Sequence, residues 1–190
     1  RDIRLRKMKG GCCAHGHKGH ENDSAEKGGN DPHTWMDPRL VKKQAKVVRD
    51  VLVEIDPEHG DFYTKRFQKL AADLDRLFSE LSSALAPMRG KEILVFHPAY
   101  GYFADAFGLQ QFAVEIEGKE PSAAQLSRVI KIAKKRKIRV IFVQPQFSRK
   151  SAEVIAGEIQ GTVGVLDPLS PAYFENMKTM ATKVTNALGE

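Results

Sequence analysis

The sequence predicts an α/β fold in which a four-stranded parallel sheet carries helices on both faces. First, four short apolar runs alternate with helical patterns through the second half of the chain, which is typical of parallel strands joined by helices. Second, leucine and phenylalanine recur at three- and four-residue steps over residues 61–85, which predicts a helix roughly 38 Å long. A helix of that length can link two lobes. We therefore expect a long linker helix followed by one α/β lobe.

The first thirty residues are too polar to build a core. Glycine and charged side chains predominate over residues 10–30, which predicts a loop. Ahead of this loop, Ile3 and Leu5 alternate with charged residues, and this alternation predicts the end of a strand.

Two helices are predicted after the loop. Apolar side chains at three- and four-residue steps over residues 38–55 indicate an amphipathic helix, with Asp37 as its N-cap and Pro38 in its first turn. Asp56 and Pro57 end this helix, and the long helix over residues 61–85 follows it.

The α/β lobe is predicted to begin after Pro87 and Gly90. Ser122 is expected to cap one of its helices. We expect strands over residues 93–96, 111–116, 138–143 and 162–166, and helices over residues 100–107, 122–136, 148–160 and 171–188.

Composition excludes several classes of protein. The chain is 42% apolar and 28% charged, the balance of a globular protein, and its longest apolar runs, of four residues, are too short to cross a bilayer. The net charge of +6 does not predict nucleic-acid binding, because the basic run over residues 131–139 has no interleaved aromatic side chains and lies at a predicted helix end. The sequence also lacks the glycine-rich phosphate loops and the common hydrolase motifs.

Three residues are candidate metal ligands. His97 and Asp167 directly follow the first and fourth predicted strands, so both belong at the carboxyl edge of the sheet, and a proline after each restrains the backbone. His33 precedes the first helix, beside Trp35. Two imidazoles and one carboxylate suit Zn²⁺, with Mn²⁺ and Fe²⁺ as poorer fits, although they leave a tetrahedral ion one ligand short. The alternative for each residue alone is a turn, cap or packing role.

A second group of candidate ligands lies in the predicted loop. Glycines among them predict a flexible, auxiliary metal-binding tract rather than one defined cage, and the spacing does not fit a zinc finger. A solvated linker without metal is the alternative. The residues concerned are Cys12, Cys13, His15, His17 and His20.

Five motifs stand out in order along the chain. They are DPHTW at residues 31–35, VFHPAYGYF at 95–103, EIEGKEPS at 115–122, VQPQF at 143–147 and LDPL at 166–169. Together they resemble the metal-binding proteins of bacterial zinc and manganese ABC importers, and most of all the ZnuA-like zinc branch. In that family two α/β lobes are joined by one long helix, and the metal lies in the cleft between them.

The resemblance implies that His33, His97 and Asp167 bind Zn²⁺ and that the loop is the His-rich loop of zinc-specific members. It also divides the chain into four parts. The family's first histidine ligand has no match here, so we expect the N-terminal lobe to be largely missing. The parts are a remnant of that lobe with the His-rich loop (1–37), a helix of that lobe (38–60), the linker helix (61–86) and the C-terminal α/β lobe (87–190).

The resemblance further implies a non-enzymatic protein that captures Zn²⁺ in the periplasm, or as a membrane-anchored lipoprotein outside the cytoplasmic membrane, and delivers it to the permease of an ABC importer. Manganese-preferring relatives tend to have glutamate in place of His97, so zinc is favoured, with Mn²⁺ or Fe²⁺ as the alternative. A zinc-dependent hydrolase with Asp167 or Glu117 as its base stays open. Apolar helix faces left bare by a missing lobe predict non-native dimerisation.

Overall fold

A computed structural model of the chain describes residues 3–8, 29–115, 121–147 and 149–189. Six α-helices and four strands occur among them, and they confirm the predicted α/β class. In chain order the elements are α1 (Pro38–Ile55), α2 (Gly60–Leu85), β1 (Glu92–Val95), α3 (Gly101–Phe107), β2 (Gln110–Ala113), α4 (Ala123–Lys135), β3 (Val140–Val143), α5 (Lys150–Glu158), β4 (Thr162–Val165) and α6 (Tyr173–Gly189).

The four strands form one parallel sheet in the order β2-β1-β3-β4. Leu94 in the middle of β1 pairs with Phe112 of β2 on one side and with Ile141 of β3 on the other. β2 lies on one side of β1, and β3 and β4 lie on the other, so the order of the strands reverses at β1. Ligands in open α/β sheets bind at such a reversal, and the expected site is therefore the crevice beyond the carboxyl ends of β1 and β3.

Helices cover both faces of the sheet, as predicted. Right-handed crossovers put α3 on one face and α4 and α5 on the other, because the chain moves in opposite directions before and after β2. The first face packs against the C-terminal half of α2 and against α6, through Leu81, Phe103 and Met180. On the second face Leu94 and Ile141 pack against Val129 and Ile155 of α4 and α5.

The helix starts follow the predicted capping residues. The carboxylate of Asp37 accepts a hydrogen bond of 2.9 Å from the backbone N–H of Arg39, and Pro38 occupies the first turn of α1. Ser122 forms a capping box with Gln125 at the start of α4. The turn between α1 and α2 begins at Asp56 and Pro57, as expected.

Element ends differ from the predicted ones by a few residues. β2 ends at Ala113 rather than at residue 116, and β3 begins at Val140 rather than at residue 138. After β2 the chain still pairs with the end of β1, since the N–H groups of Val114 and Glu115 donate to the carbonyls of Val95 and Phe96. This continuation matters because it carries Glu115 to the carboxyl edge of the sheet.

The N-terminal residues lie against the start of α3. Lys7 and Asn30 form an antiparallel bridge in place of the strand end that was predicted at residues 3–5. The backbone N–H of Arg6 donates to the hydroxyl of Tyr102, and that hydroxyl donates to the carbonyl of Asp31. These bonds join residues 29–31 to the α/β lobe.

Apolar side chains are exposed on α1 and the first turn of α2. A groove of about 600 Å³ runs between the two helices, lined by Val48, Leu52 and Phe67 among others. The large exposed apolar side chains of this region are Val47, Val48, Val51, Ile55 and Phe62. No helix among the described residues combines the length and the apolarity that a membrane span requires. The assignment of residues 38–60 to an N-terminal lobe stays a prediction.

Candidate metal centre

Two of the predicted ligands, His33 and His97, lie side by side at the carboxyl edge of the sheet. Their ring centroids are 5.4 Å apart and the rings are nearly perpendicular, at 77°. The two residues are far apart in the sequence, so the fold alone brings them together. This juxtaposition is the core of the candidate site.

His97 is positioned by the strands on either side of it. It follows β1, and Phe96 continues the ladder by donating its N–H to the carbonyl of Phe142 at 2.7 Å. The side-chain amide of Gln144, just beyond β3, donates to the carbonyl of His97 at 3.2 Å. Phe147 stacks on the imidazole with a centroid distance of 5.1 Å. The end of β3 and the residues after it therefore restrain His97.

His33 is held against the same lobe through Trp35. The indole Nε1–H of Trp35 donates to the carbonyl of Pro168, after β4, at 2.8 Å, and the Tyr173 hydroxyl donates to the carbonyl of Trp35 at 2.9 Å. The Trp35 ring also meets the His33 ring edge to face at 5.3 Å. Burial of Tyr173 raises the pKa of its phenol, so the hydroxyl keeps its proton and remains a donor.

Each imidazole contacts a buried carboxylate through Nδ1. Oδ1 of Asp31 lies 2.7 Å from Nδ1 of His33, and Oε2 of Glu115 lies 2.6 Å from Nδ1 of His97. Only 1% of Asp31 and 3% of Glu115 is exposed. The sequence prediction missed both residues. The signal for Asp31 was its place two residues before His33, whereas Glu115 was hidden by the expected extension of β2 to residue 116.

Asp167, the third predicted ligand, lies at the same edge, where its carboxylate is hydrogen-bonded to neighbouring protein groups. Its Oδ1 accepts hydrogen bonds from the N–H of Leu169 at 3.0 Å and from the amide of Gln146 at 3.1 Å. Burial, together with the negative charge of Asp167, raises the pKa of the nearby Tyr100 phenol. Within the described ranges, no three His, Cys, Asp or Glu side chains form a group able to hold a metal ion. The three-residue ligand set therefore stays a prediction.

The remaining candidate residues lie outside the part of the chain that the structure describes. These are the loop residues Cys12, Cys13, His15, His17 and His20, and also Glu117, the alternative base of a hydrolase.

The paired imidazoles lie where a parallel sheet reverses its strand order, and this is the place at which open α/β proteins bind ligands. Comparison with known proteins identifies the group to which this chain belongs. The model of the family "Zinc-uptake complex component A periplasmic" (ZnuA) matches residues 4–187. The chain belongs to this family, which confirms the resemblance seen in the five sequence motifs.

Curated relatives include the high-affinity zinc uptake system proteins ZnuA of Brucella abortus and Bacillus subtilis. The first is 34% identical over 142 residues, which cover 73% of this chain and 42% of that protein. The second is 34% identical over 143 residues, which cover 73% of this chain and 44% of that protein. The chain therefore spans less than half the length of these relatives.

Solved structures of the same family have the same fold. A crystal structure of ZnuA matches with a TM-score of 0.81 and 42% identity, over 83% of this chain and 62% of that one. A ZnuA deletion mutant with zinc bound matches with a TM-score of 0.85 and 37% identity, over 99% of this chain and 66% of that one.

Proposed function

We propose that this chain captures Zn²⁺ as part of a solute-binding protein, with His33 and His97 as ligands. The observation that carries the proposal is the 5.4 Å separation of the two imidazole rings at the carboxyl edge of the sheet. Imidazole nitrogen is a preferred zinc ligand, and both rings contact a carboxylate through Nδ1, which leaves Nε2 for the ion. Relatives named for zinc uptake support zinc as the cargo.

Asp167 is the third ligand in this proposal. Its Oδ1 accepts hydrogen bonds from Leu169 and Gln146, and an ion bound through the other carboxylate oxygen would leave both bonds in place. A carboxylate adds a negative charge to two neutral imidazoles, which favours a divalent cation. A carboxylate also suits Mn²⁺, so the second imidazole, that of His97, is what favours Zn²⁺.

The proposed activity is capture and release outside the cytoplasmic membrane, without a covalent step. The cargo would pass to the permease of an ABC importer, in the periplasm or from a lipoprotein anchored to the membrane. Membership of a zinc-uptake family supports this assignment over a hydrolase. The tract of Cys12, Cys13, His15, His17 and His20 would act as an auxiliary zinc-binding loop.

Zinc titration of single variants tests the ligands. The background is a full-length chain in which the five Cys and His residues of the loop are replaced by Ser, so that the loop contributes no binding. We expect one Zn²⁺ per chain, and His33→Ala or His97→Ala should each weaken binding by at least about 100-fold, since each removes a protein ligand. Asp167→Ala should weaken binding less, because two imidazoles remain.

The matched control is His59→Ala. His59 is an exposed histidine whose ring contacts Asp56 at the turn between α1 and α2. Its loss should leave zinc affinity unchanged. Equal loss in all three histidine variants, or full affinity in His33→Ala, would contradict the proposal.

We also propose that the exposed apolar face of α1 and α2 mediates self-association of this chain. The five exposed side chains Val47, Val48, Val51, Ile55 and Phe62 and the groove between the helices support a second copy of the same face as the partner.

A further inference from the structure

We infer that Asp31 and Glu115 are positioning residues that fix the tautomers of His33 and His97, so that Nε2 of each ring is the atom offered to the ion. The inference rests on the proposed function for the identity of the ion. It adds two residues to the predicted site, and neither of them needs to touch the metal.

Glu115 is placed beside His97 by the backbone of the sheet. Its N–H donates to the carbonyl of Phe96 at 2.9 Å, so the residue continues the pairing of β2 with β1 and lies next to the histidine that follows Phe96. Its Oε2 then lies 2.6 Å from Nδ1 of His97. Stacking of Phe147 on the ring leaves the imidazole little freedom to turn away.

Asp31 is held beside His33 from several sides. Its Oδ1 accepts the backbone N–H of His33 at 3.0 Å as well as contacting Nδ1, and its Oδ2 lies 3.7 Å from Nη1 of Arg6. Gly101 makes room for this arrangement, since a Cβ there would lie 1.6 Å from Nη1 of Arg6 and 2.9 Å from Oδ2 of Asp31. The Tyr102 hydroxyl, which donates to the carbonyl of Asp31, completes the support.

These contacts decide which nitrogen carries the proton. A carboxylate has no proton to donate, so the nitrogen facing it must be the donor, and Nδ1–H is the protonated position in both rings. A neutral imidazole has one N–H, which leaves a lone pair on Nε2. The negative charge behind each ring also makes it a stronger metal ligand. Two buried carboxylates together provide charge that a divalent cation neutralises.

Nitrogen NMR of the full chain without metal, at neutral pH, tests the tautomers directly. Labelled side-chain nitrogens report which ring position is protonated, and His33→Gln and His97→Gln identify the two signals. We expect the Nδ1–H tautomer for both residues. A predominant Nε2–H tautomer at His97 in the unsubstituted chain would overturn the inference.

A series of substitutions at Glu115 tests the consequence for zinc. Glu115→Met removes the acceptor with little change of shape, so His97 should shift toward the Nε2–H tautomer and zinc affinity should fall about 10- to 100-fold. Glu115→Gln retains a neutral acceptor and should recover part of that loss. Asp31→Asn retains a neutral acceptor beside His33, so it should weaken zinc binding less than Glu115→Met does. It should leave the tautomer of His97 unchanged.

Glu92→Met is the matched control. Glu92 starts β1, at the opposite edge of the sheet, where it forms an ion pair with Arg136. A purely structural effect of losing a carboxylate from the sheet would appear in this variant too, whereas a positioning effect would not. Zinc affinity of Glu115→Met equal to that of the unsubstituted chain would overturn the inference.

The two measurements separate this inference from the proposed function. Expected tautomers in a chain that takes up no zinc would reject the zinc site and support the positioning of the rings. Zinc binding with the opposite tautomers would support the site and reject the positioning.

Discussion

The turn between α1 and α2 illustrates how single residues alter each other's titration. The Tyr63 hydroxyl donates a hydrogen bond of 2.6 Å to Asp56, and Nδ1 of His59 lies 3.0 Å from the same carboxylate. These contacts, that of Tyr63 foremost, lower the pKa of Asp56, while donation to the carboxylate raises the pKa of Tyr63. The Asp56 contribution to stability is therefore present above the pKa of the unfolded chain and lost as the pH falls through the lower folded value.

We expect Tyr63→Phe to raise the pKa of Asp56 toward its ordinary value, because the strongest hydrogen bond to the carboxylate is removed. Carbon NMR titration of the labelled side chain measures the change. Asp50 is an internal control, since hydrogen bonds from Lys46 and Arg49, rather than one from Tyr63, lower its pKa. An unchanged Asp56 titration in the variant would contradict the assigned cause.

The sequence singled out His33 and His97, which lie side by side in the structure, but it missed the two carboxylates that they contact. The role of the two histidines as ligands stays a prediction. The rule that ligands follow strand ends picked out His97, because His97 directly follows the apolar run that contains most of β1, although the strand itself ends at Val95. The same rule failed at β2, because Val114 prolongs the apolar pattern past the end of the strand. The strand was therefore predicted to end at residue 116, and the rule selected Glu117 instead of Glu115. A contact between neighbouring strands depends on register, which the sequence pattern alone does not specify.

Among the elements, α4 has the most complete sequence signature. The Ser122 hydroxyl accepts the N–H of Gln125, and the Gln125 side chain accepts the N–H of Ser122 at 2.7 Å, so two N–H groups of the first turn are satisfied. Lys134 and Lys135 in the last turn complement the helix dipole. Both ends of this helix were predicted to within one residue.

Ser122→Ala should lower the free energy of unfolding by about 0.5–2 kcal/mol, because it removes the N-cap of α4. Urea denaturation followed by circular dichroism measures the loss. Ser127→Ala, in the exposed middle of the same helix, is the control, and it should be neutral or slightly stabilising because alanine is the better helix former. Equal destabilisation by the two changes would show that the cap contributes nothing specific.

At the scale of the whole molecule, one face of the helix pair differs from the rest of the surface. Val51 of α1 is 49% exposed and Phe62 of α2 is 59% exposed, and both belong to the apolar face proposed for self-association. Scattered apolar residues are normal on a surface, but Val47, Val51 and Ile55 recur at four-residue steps along α1, and such an exposed apolar stripe favours association.

Sedimentation equilibrium should detect dimers of the chain, and Val48→Glu with Val51→Glu should return it to a monomer, since two charges would have to be buried in the interface. Val154→Glu is the control, because Val154 is similarly exposed but lies on α5. A monomeric unsubstituted chain at high concentration would refute the proposal.

The architecture as a whole could be predicted because its signals are repeated. Alternating apolar runs and helical patterns specify a covered parallel sheet even when single boundaries shift by two or three residues. The strand order was not predicted, because it depends on long-range packing. The hydrogen bond from Trp35 to Pro168 could likewise not be predicted from the sequence, since it joins residues 133 positions apart.

The hydrogen bond from Trp35 to Pro168 bears on how the proposed zinc ion would be bound and released. Proteins that close around an ion usually carry opposing ligands on parts that move relative to each other. Here the hydrogen bonds from Trp35 to Pro168 and from Tyr173 to Trp35 keep the segment bearing His33 on the body that bears His97. The two proposed ligands are therefore fixed relative to each other, so release of an ion would not require the two imidazoles to separate.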